Sequence, residues 1–114
     1  MSVKGERSRL AELTHELNRM VESIIREYNP LRIIVFGSVA NGIVDEWSDV
    51  DLVVIKETDK PFYERLEEVV QIAQPNVAAD ILVYTPEEEE RMKDNLFFRE
   101  EVLKRGRVIY DAAQ

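Results

Sequence analysis

Leu10, Leu13, Leu17, Met20, Val21, Ile24, Ile25 and Tyr28 recur at steps of three and four residues. That spacing predicts one long amphipathic helix over about 8–28, ended by Asn29-Pro30. The β-branched and aromatic run Arg32-Ile33-Ile34-Val35-Phe36 predicts a strand over 31–36, and the run after Asp49 predicts a second over 49–55. Between them, Asn41-Gly42 and Asp45-Glu46 mark a loop, and Val39-Ala40-Asn41 can begin a short helix. After the turn at Thr58-Asp59-Lys60-Pro61, Phe62, Leu66, Val69, Val70 and Ala73 line one face of a third helix. Gln74-Pro75-Asn76 breaks it, and a third strand spans 78–84.

Thr85-Pro86-Glu87-Glu88 is a helix start: Thr85 caps, Pro86 takes the first helical position and Glu88 sits where a capping box needs it. A helix bent or broken near Asn95 continues to Leu103, Gly106 closes it, and 107–110 form a short edge strand. The order αβ(α)βαβααβ predicts an α+β fold, a small mixed β-sheet flanked by helices. No repeat or internal linker interrupts it, so one domain over 1–114 is expected.

Against this pattern, Asp49-Val50-Asp51 is out of place. A strand puts residues i and i+2 on one face, so two carboxylates point the same way from the start of the core run Leu52-Val53-Val54-Ile55. Like charges that close repel, and each is costly to desolvate. A divalent cation neutralises both, and carboxylate oxygens suit hard Mg²⁺. Directly after the first apolar strand, and separated from Asp49 by ten residues, stand Gly37-Ser38. Gly37 permits a tight turn and close backbone approach by a ligand, and Ser38 offers a hydroxyl. A phosphate cradle facing a metal site suits a nucleoside triphosphate bound through Mg²⁺.

Composition narrows the alternatives. The net charge of −8 argues against a protein that grips nucleic acid, which needs a basic surface. It also means that a bound nucleotide needs metal or a local basic cluster. Cysteine is absent, so disulfides and thiolate zinc sites are excluded, and a lone histidine excludes a histidine metal site. No run approaches the roughly 20 apolar residues that span a bilayer. The charged start (Lys4, Glu6, Arg7, Arg9) lacks the apolar core of a signal peptide, so a cytoplasmic protein without membrane attachment is expected.

Gly37-Ser38, Asp49-Val50-Asp51 and the spacing between them resemble the signature of the polymerase-β-like nucleotidyltransferases. The short chain resembles the minimal nucleotidyltransferases of bacteria and archaea. The resemblance is clearest over 30–84. It implies a third metal-site carboxylate on a neighbouring strand, and Asp80 opens the apolar run Ile81-Leu82-Val83-Tyr84. Asp49, Asp51 and Asp80 would then be catalytic and hold two Mg²⁺ about 3.5–4 Å apart. One ion would orient the triphosphate and the other activate the attacking hydroxyl, with Asp80 binding that ion or acting as base. Gly37 and Ser38 would cradle the phosphates of ATP or another nucleoside triphosphate, with Ser48 a further phosphate-side candidate.

The resemblance also implies transfer of a nucleoside monophosphate, AMP from ATP, to an acceptor hydroxyl. Small members are often paired with a helical HEPN-type toxin, which the nucleotidyltransferase adenylylates as its antitoxin. A homodimer or heterodimer contact is expected at Leu96-Phe97-Phe98 or on the first helix. One departure stands out. The pattern approximates G-S-x-A-R-G, whereas here Asn41 replaces the arginine and removes a fixed positive charge. Arg32, Lys56 and Arg65 are the basic candidates for the triphosphate, against the ordinary alternative of solvated surface cations. Trp47 is expected to pack its loop against the sheet rather than stack on a base. His15 is expected to face solvent, and Tyr63, Phe97 and Phe98 to fill helical core positions. The competing reading is a nucleotide- or partner-binding module of the same fold without turnover.

Overall fold

The computed structural model describes residues 2–114, with side chains from Arg9 onward. The charged Lys4, Glu6 and Arg7 side chains therefore lie outside what is described. Helix α1 (Ser2–Tyr28) begins earlier than the apolar periodicity indicates and buries Leu13, Leu17, Met20, Ile24 and Tyr28. It ends where Asn29 turns left-handed (φ 53°) and Pro30 cannot continue the helix. No helix among the described residues is long and apolar enough to cross a membrane.

Strand β1 (Arg32–Phe36) runs into a five-residue helix α2 (Gly37–Asn41), which stops at left-handed Gly42. Strand β2 (Val50–Ile55) follows a loop, then α3 (Phe62–Ala73), β3 (Ala79–Tyr84) and α4 (Pro86–Met92). Thr85 and Glu88 form the expected capping box: Thr85 N–H donates to Glu88 Oε1 (2.9 Å), and Glu88 N–H donates to Thr85 Oγ1 (3.2 Å). The chain breaks at Asn95, whose Oδ1 accepts from Phe98 N–H (3.0 Å). The next helix, α5 (Phe98–Lys104), is π-helical rather than α-helical. Local spacing does not distinguish the two, because the difference is one extra residue per turn. Strand β4 (Arg107–Asp111) closes the sheet.

The sheet order is β3-β2-β1-β4. β1 pairs antiparallel with β2 and β4, while β2 and β3 are parallel and joined by the α3 crossover. This mixed sheet is α+β, as the sequence predicts. One face packs on α1 and α3 through Ile33, Val35, Val50, Leu52, Val54 and Val83. The other face gathers Ile34, Phe36, Val53 and Ile55 under Phe98 and Val102 of α5. Coverage on both sides explains why β1 and β2 read as continuous apolar runs rather than alternating ones.

Several expected assignments change. Phe98 is core, but Tyr63 and Phe97 are exposed, Phe97 by 55%. They continue the apolar rhythm of their helices on faces left largely open, although Phe97 meets the Phe36 ring edge-on at 6.1 Å. His15 is exposed, as expected. Trp47 is 81% exposed, so it does not seal its loop. That loop closes on itself instead: Asp45 Oδ1 accepts from Trp47 N–H (2.9 Å), and Ser48 Oγ accepts from Asp45 N–H (2.9 Å).

Candidate active site

Asp51 is the second residue of β2 and lies opposite Asp80, the second residue of β3, in the parallel register. Asp49 precedes β2 by one residue. The strand parity that buries Val53 and Ile55 on the α5 face puts Asp51 on that same face, at the end where β1 delivers Gly37. Oxygens of Asp49, Asp51 and Asp80 all come within 4.8 Å of one another. Asp49 and Asp51 are half-buried and Asp80 is exposed. Burial, and then the carboxylates of Asp80 and Asp49, push the Asp51 carboxyl up to about 6.

Gly37 has φ +75°, and a Cβ there would collide with Asp51 Oδ2. The turn leaving β1 therefore presses its bare backbone against the carboxylate cluster, which a side chain would prevent. The sequence requires glycine for the turn and for the close approach at once. From the opposite side, Arg9 of α1 donates through Nη2 to the Ser48 carbonyl (2.9 Å), fixing the backbone immediately before Asp49. Nothing in the local sequence around Arg9 signals this contact; the two residues are 39 positions apart.

Two clefts meet at Gly37. One, of about 650 Å³, is lined by Phe36, Asp51, Leu66, Ile81 and Phe97 among others, with Asp80 and Glu101 at polar positions. The other, of about 730 Å³, is lined by Gly37, Ser38, Asn41, Ile43 and Arg105. The structure thus brings Gly37 against Asp51, with Ser38 lining the adjoining cleft. Ser48 lies close in sequence to Asp49, but its hydroxyl is engaged inside the loop, accepting from Asp45 N–H and contacting Asp45 Oδ1 at 3.3 Å.

The three basic candidates lie elsewhere. Arg32 and Lys56 stand at the far end of the sheet. Arg32 pairs in register with Ile55, four residues or about 13 Å along β2 from Asp51. Arg32 binds Glu89, and Lys56 donates to the Tyr28 carbonyl (2.7 Å). Buried Arg65 donates to Glu88 Oε1 (2.7 Å) and to the Val83 carbonyl (3.2 Å), tying α3 to the start of α4. These cations are structural because each is committed to a carboxylate or carbonyl remote from the cluster.

Three oxygen donors converging at a strand end, beside a glycine-serine turn, can hold a hard cation and present it to phosphate oxygens. No curated protein matches the chain. Among solved structures, a 1.40 Å crystal structure of a candidate nucleotidyltransferase from Sulfolobus solfataricus aligns over 96% of this chain and 89% of its own, at TM-score 0.69 and 18% identity. At that identity the likeness shows the fold. The family described as "Polymerase beta, Nucleotidyltransferase" matches residues 19–114, which include every strand and the whole carboxylate cluster, and the chain belongs to that family.

Proposed function

We propose that this protein is a metal-dependent nucleotidyltransferase that takes ATP or another nucleoside triphosphate and moves its nucleoside monophosphate to an acceptor hydroxyl. The convergence of Asp49, Asp51 and Asp80 carries this reading. A trio of carboxylates suits Mg²⁺, and the space they enclose fits one or two such ions by its donor chemistry. Bound there, Mg²⁺ supplies neutralisation of the triphosphate and acidification of the attacking hydroxyl. The chain's own residues position the reactants. Gly37 and Ser38 offer backbone and hydroxyl to the phosphates, and Asp80, the most exposed of the three, faces the acceptor and can receive its proton. The acceptor oxygen bonds to the α-phosphorus while the bond to the β-phosphate oxygen breaks, releasing pyrophosphate. Such an in-line displacement depends mainly on placement and charge neutralisation.

The acceptor belongs in the cleft beside Asp80. Its walls, Leu66, Val70, Ile81, Leu82 and Phe97, are apolar and its polar rim is acidic, which favours a neutral or cationic acceptor over a nucleic acid end. A protein hydroxyl fits this description, consistent with adenylylation of a helical HEPN-type partner. Exposed Leu96 and Phe97 beside the cleft supply an apolar contact for such a partner or for a second copy of the chain. Incubation with Mg²⁺, labelled ATP and a candidate helical partner tests the reading. Label should pass to the partner and disappear with Asp49→Ala or Asp51→Ala. A second reading, nucleotide binding without turnover, draws on Asn41 in place of arginine; tight Mg·ATP binding with no label transfer would establish it.

A further inference from the structure

The structure assigns Arg105 as the residue that grips the terminal phosphates of the nucleotide, supplying from the C-terminal end of the chain the positive charge that Asn41 lacks. This rests on the nucleotidyltransferase reading above and names a residue for it. Four observations carry the assignment.

The first is position. β4 pairs antiparallel with β1, with Val35 opposite Arg107. Arg105 caps α5 two residues before that pair, at the end of the sheet where β1 gives way to Gly37. Arg105 accordingly lines the same cleft as Gly37, Ser38 and Asn41, and it is the cation among that cleft's lining residues. Arg105 and Asn41 thus share one cleft wall.

The second is how tightly the backbone beneath it is fixed. Gly106 lies so close to the end of β1 that a Cβ would collide with the Val102 carbonyl and meet the Val35 carbonyl at 3.0 Å. Arg105 N–H donates to the Glu100 carbonyl (3.2 Å), the five-residue step of a π-turn. π-Turns are rare and are found disproportionately at functional sites. Here the wide turn ends at the residue that faces the cleft.

The third is availability. The Arg105 side chain is 68% exposed and its ion pair is to Glu101 at 3.5 Å, long for a charge-assisted hydrogen bond. Exposed pairs of this sort contribute little to stability, so the guanidinium can exchange partners at small cost. By contrast Arg32, Lys56 and Arg65 hold carboxylates or carbonyls away from the cluster.

The fourth is the partner it would leave. Glu101 lines the neighbouring cleft with Asp51 and Asp80. The Arg105–Glu101 pair therefore spans both clefts, with the cation on the phosphate side and the anion on the acceptor side. A planar guanidinium binds phosphate bidentately, which suits it to the role more than lysine.

Calorimetry with Mg²⁺ and a non-hydrolysable ATP analogue tests the assignment, with Mg²⁺ and AMP as the comparison. Arg105→Ala should weaken analogue binding about tenfold and leave AMP binding unchanged, with Arg105→Lys recovering only part of the loss. Glu101→Gln should tighten analogue binding, because it frees the guanidinium. Adding Asn41→Arg to Arg105→Ala should restore affinity, a rescue that a merely structural arginine would not allow. Circular dichroism should show all variants folded, since Arg105 is exposed. Analogue binding unchanged in Arg105→Ala, or lost in parallel with AMP binding, overturns the assignment while leaving the nucleotidyltransferase reading in place. Absence of analogue binding by the unaltered protein overturns both.

Discussion

Asp51 on β2 stands opposite Asp80 on β3 in the parallel register of the two strands. The backbones that carry their carboxyl groups are consequently held side by side by the sheet rather than by a loop. The repulsion between them is a standing cost in the metal-free protein and a preformed affinity for cations.

Loss of any one carboxylate should reduce cation uptake unequally. Asp51→Asn should weaken Mn²⁺ or Mg²⁺ binding by about 100-fold, because Asp51 is half-buried between the facing Asp80 and the nearby Asp49, where water replaces a lost ligand poorly. Asp80→Asn should weaken it about tenfold, since that group is exposed and water can replace it. Isothermal titration with Mn²⁺ ranks the two; equal losses would contradict a site centred on Asp51.

The same cluster makes stability depend on pH with an unusual sign. The Asp51 carboxyl is raised in the folded chain to about 6 from its ordinary 3.8, so the folded state binds the extra proton between those values. Metal-free protein should therefore lose stability as pH rises from about 4 to 6, by about 1 kcal/mol after allowance for partial solvent screening. Asp51→Asn should remove this slope and raise Tm by a few degrees at pH 7.5. Saturating Mg²⁺ should erase the difference. Thermal unfolding with chelator and with Mg²⁺, across that window, provides the check.

Gly37→Ala should damage the site more than the fold. A left-handed φ of +75° costs alanine about 1–2 kcal/mol, and its Cβ would displace the Asp51 carboxylate. A fall in Tm of roughly 4–8 °C with cation affinity lost almost entirely is expected. Gly42→Ala has a similar φ of +74° but meets nothing within 4 Å, so it should cost similar stability and leave cation binding intact. The comparison separates backbone strain from the close approach to Asp51.

Glu16 holds the entrance to β3. It is buried on α1, accepts from Arg19 Nε (2.9 Å) and Nη2 (2.7 Å), and also accepts from the Asn76 N–H just ahead of that strand. The Arg19 guanidinium, opposed by burial and aided by the Asn76 backbone, holds its carboxyl down at about 2. A depressed acid contributes stability above its unfolded value of 4.5 and loses it as pH falls toward 2. Glu16→Ala should cost about 2–3 kcal/mol at pH 7 by leaving these donors unpaired. The gap from wild type should close below pH 3 in urea titrations.

Phe98 anchors the C-terminal helix. It is buried against Val53, Ile55 and Tyr84, with the Tyr84 ring edge-on at 5.9 Å. Phe98→Ala should cost about 3–5 kcal/mol. If α5 positions Arg105, the surviving folded fraction should also bind the triphosphate analogue more weakly than wild type, which nucleotide titration at low temperature measures.

The order of helices and strands was legible in the residues, though not the start of α1 or the π-helical form of α5, because most elements follow from local periodicity or from a turn residue that can do little else. The three- and four-residue apolar steps of α1, the Thr85-Pro86-Glu88 cap and the break at Asn95 are cases of this. The Asp-x-Asp spacing and Gly37-Ser38 pointed to one end of one strand because a pleated chain alternates its side chains. Other features depended on residues distant in sequence. Parallel pairing of β2 with β3 brought Asp80 opposite Asp51, and the C-terminal end of α5 brought Arg105 into the cleft lined by Gly37. Burial partners drew Arg32, Lys56 and Arg65 away from the phosphates, and uncovered faces left Trp47, Tyr63 and Phe97 exposed. Periodicity specifies which face of an element is apolar, but what packs on that face is decided by the whole chain.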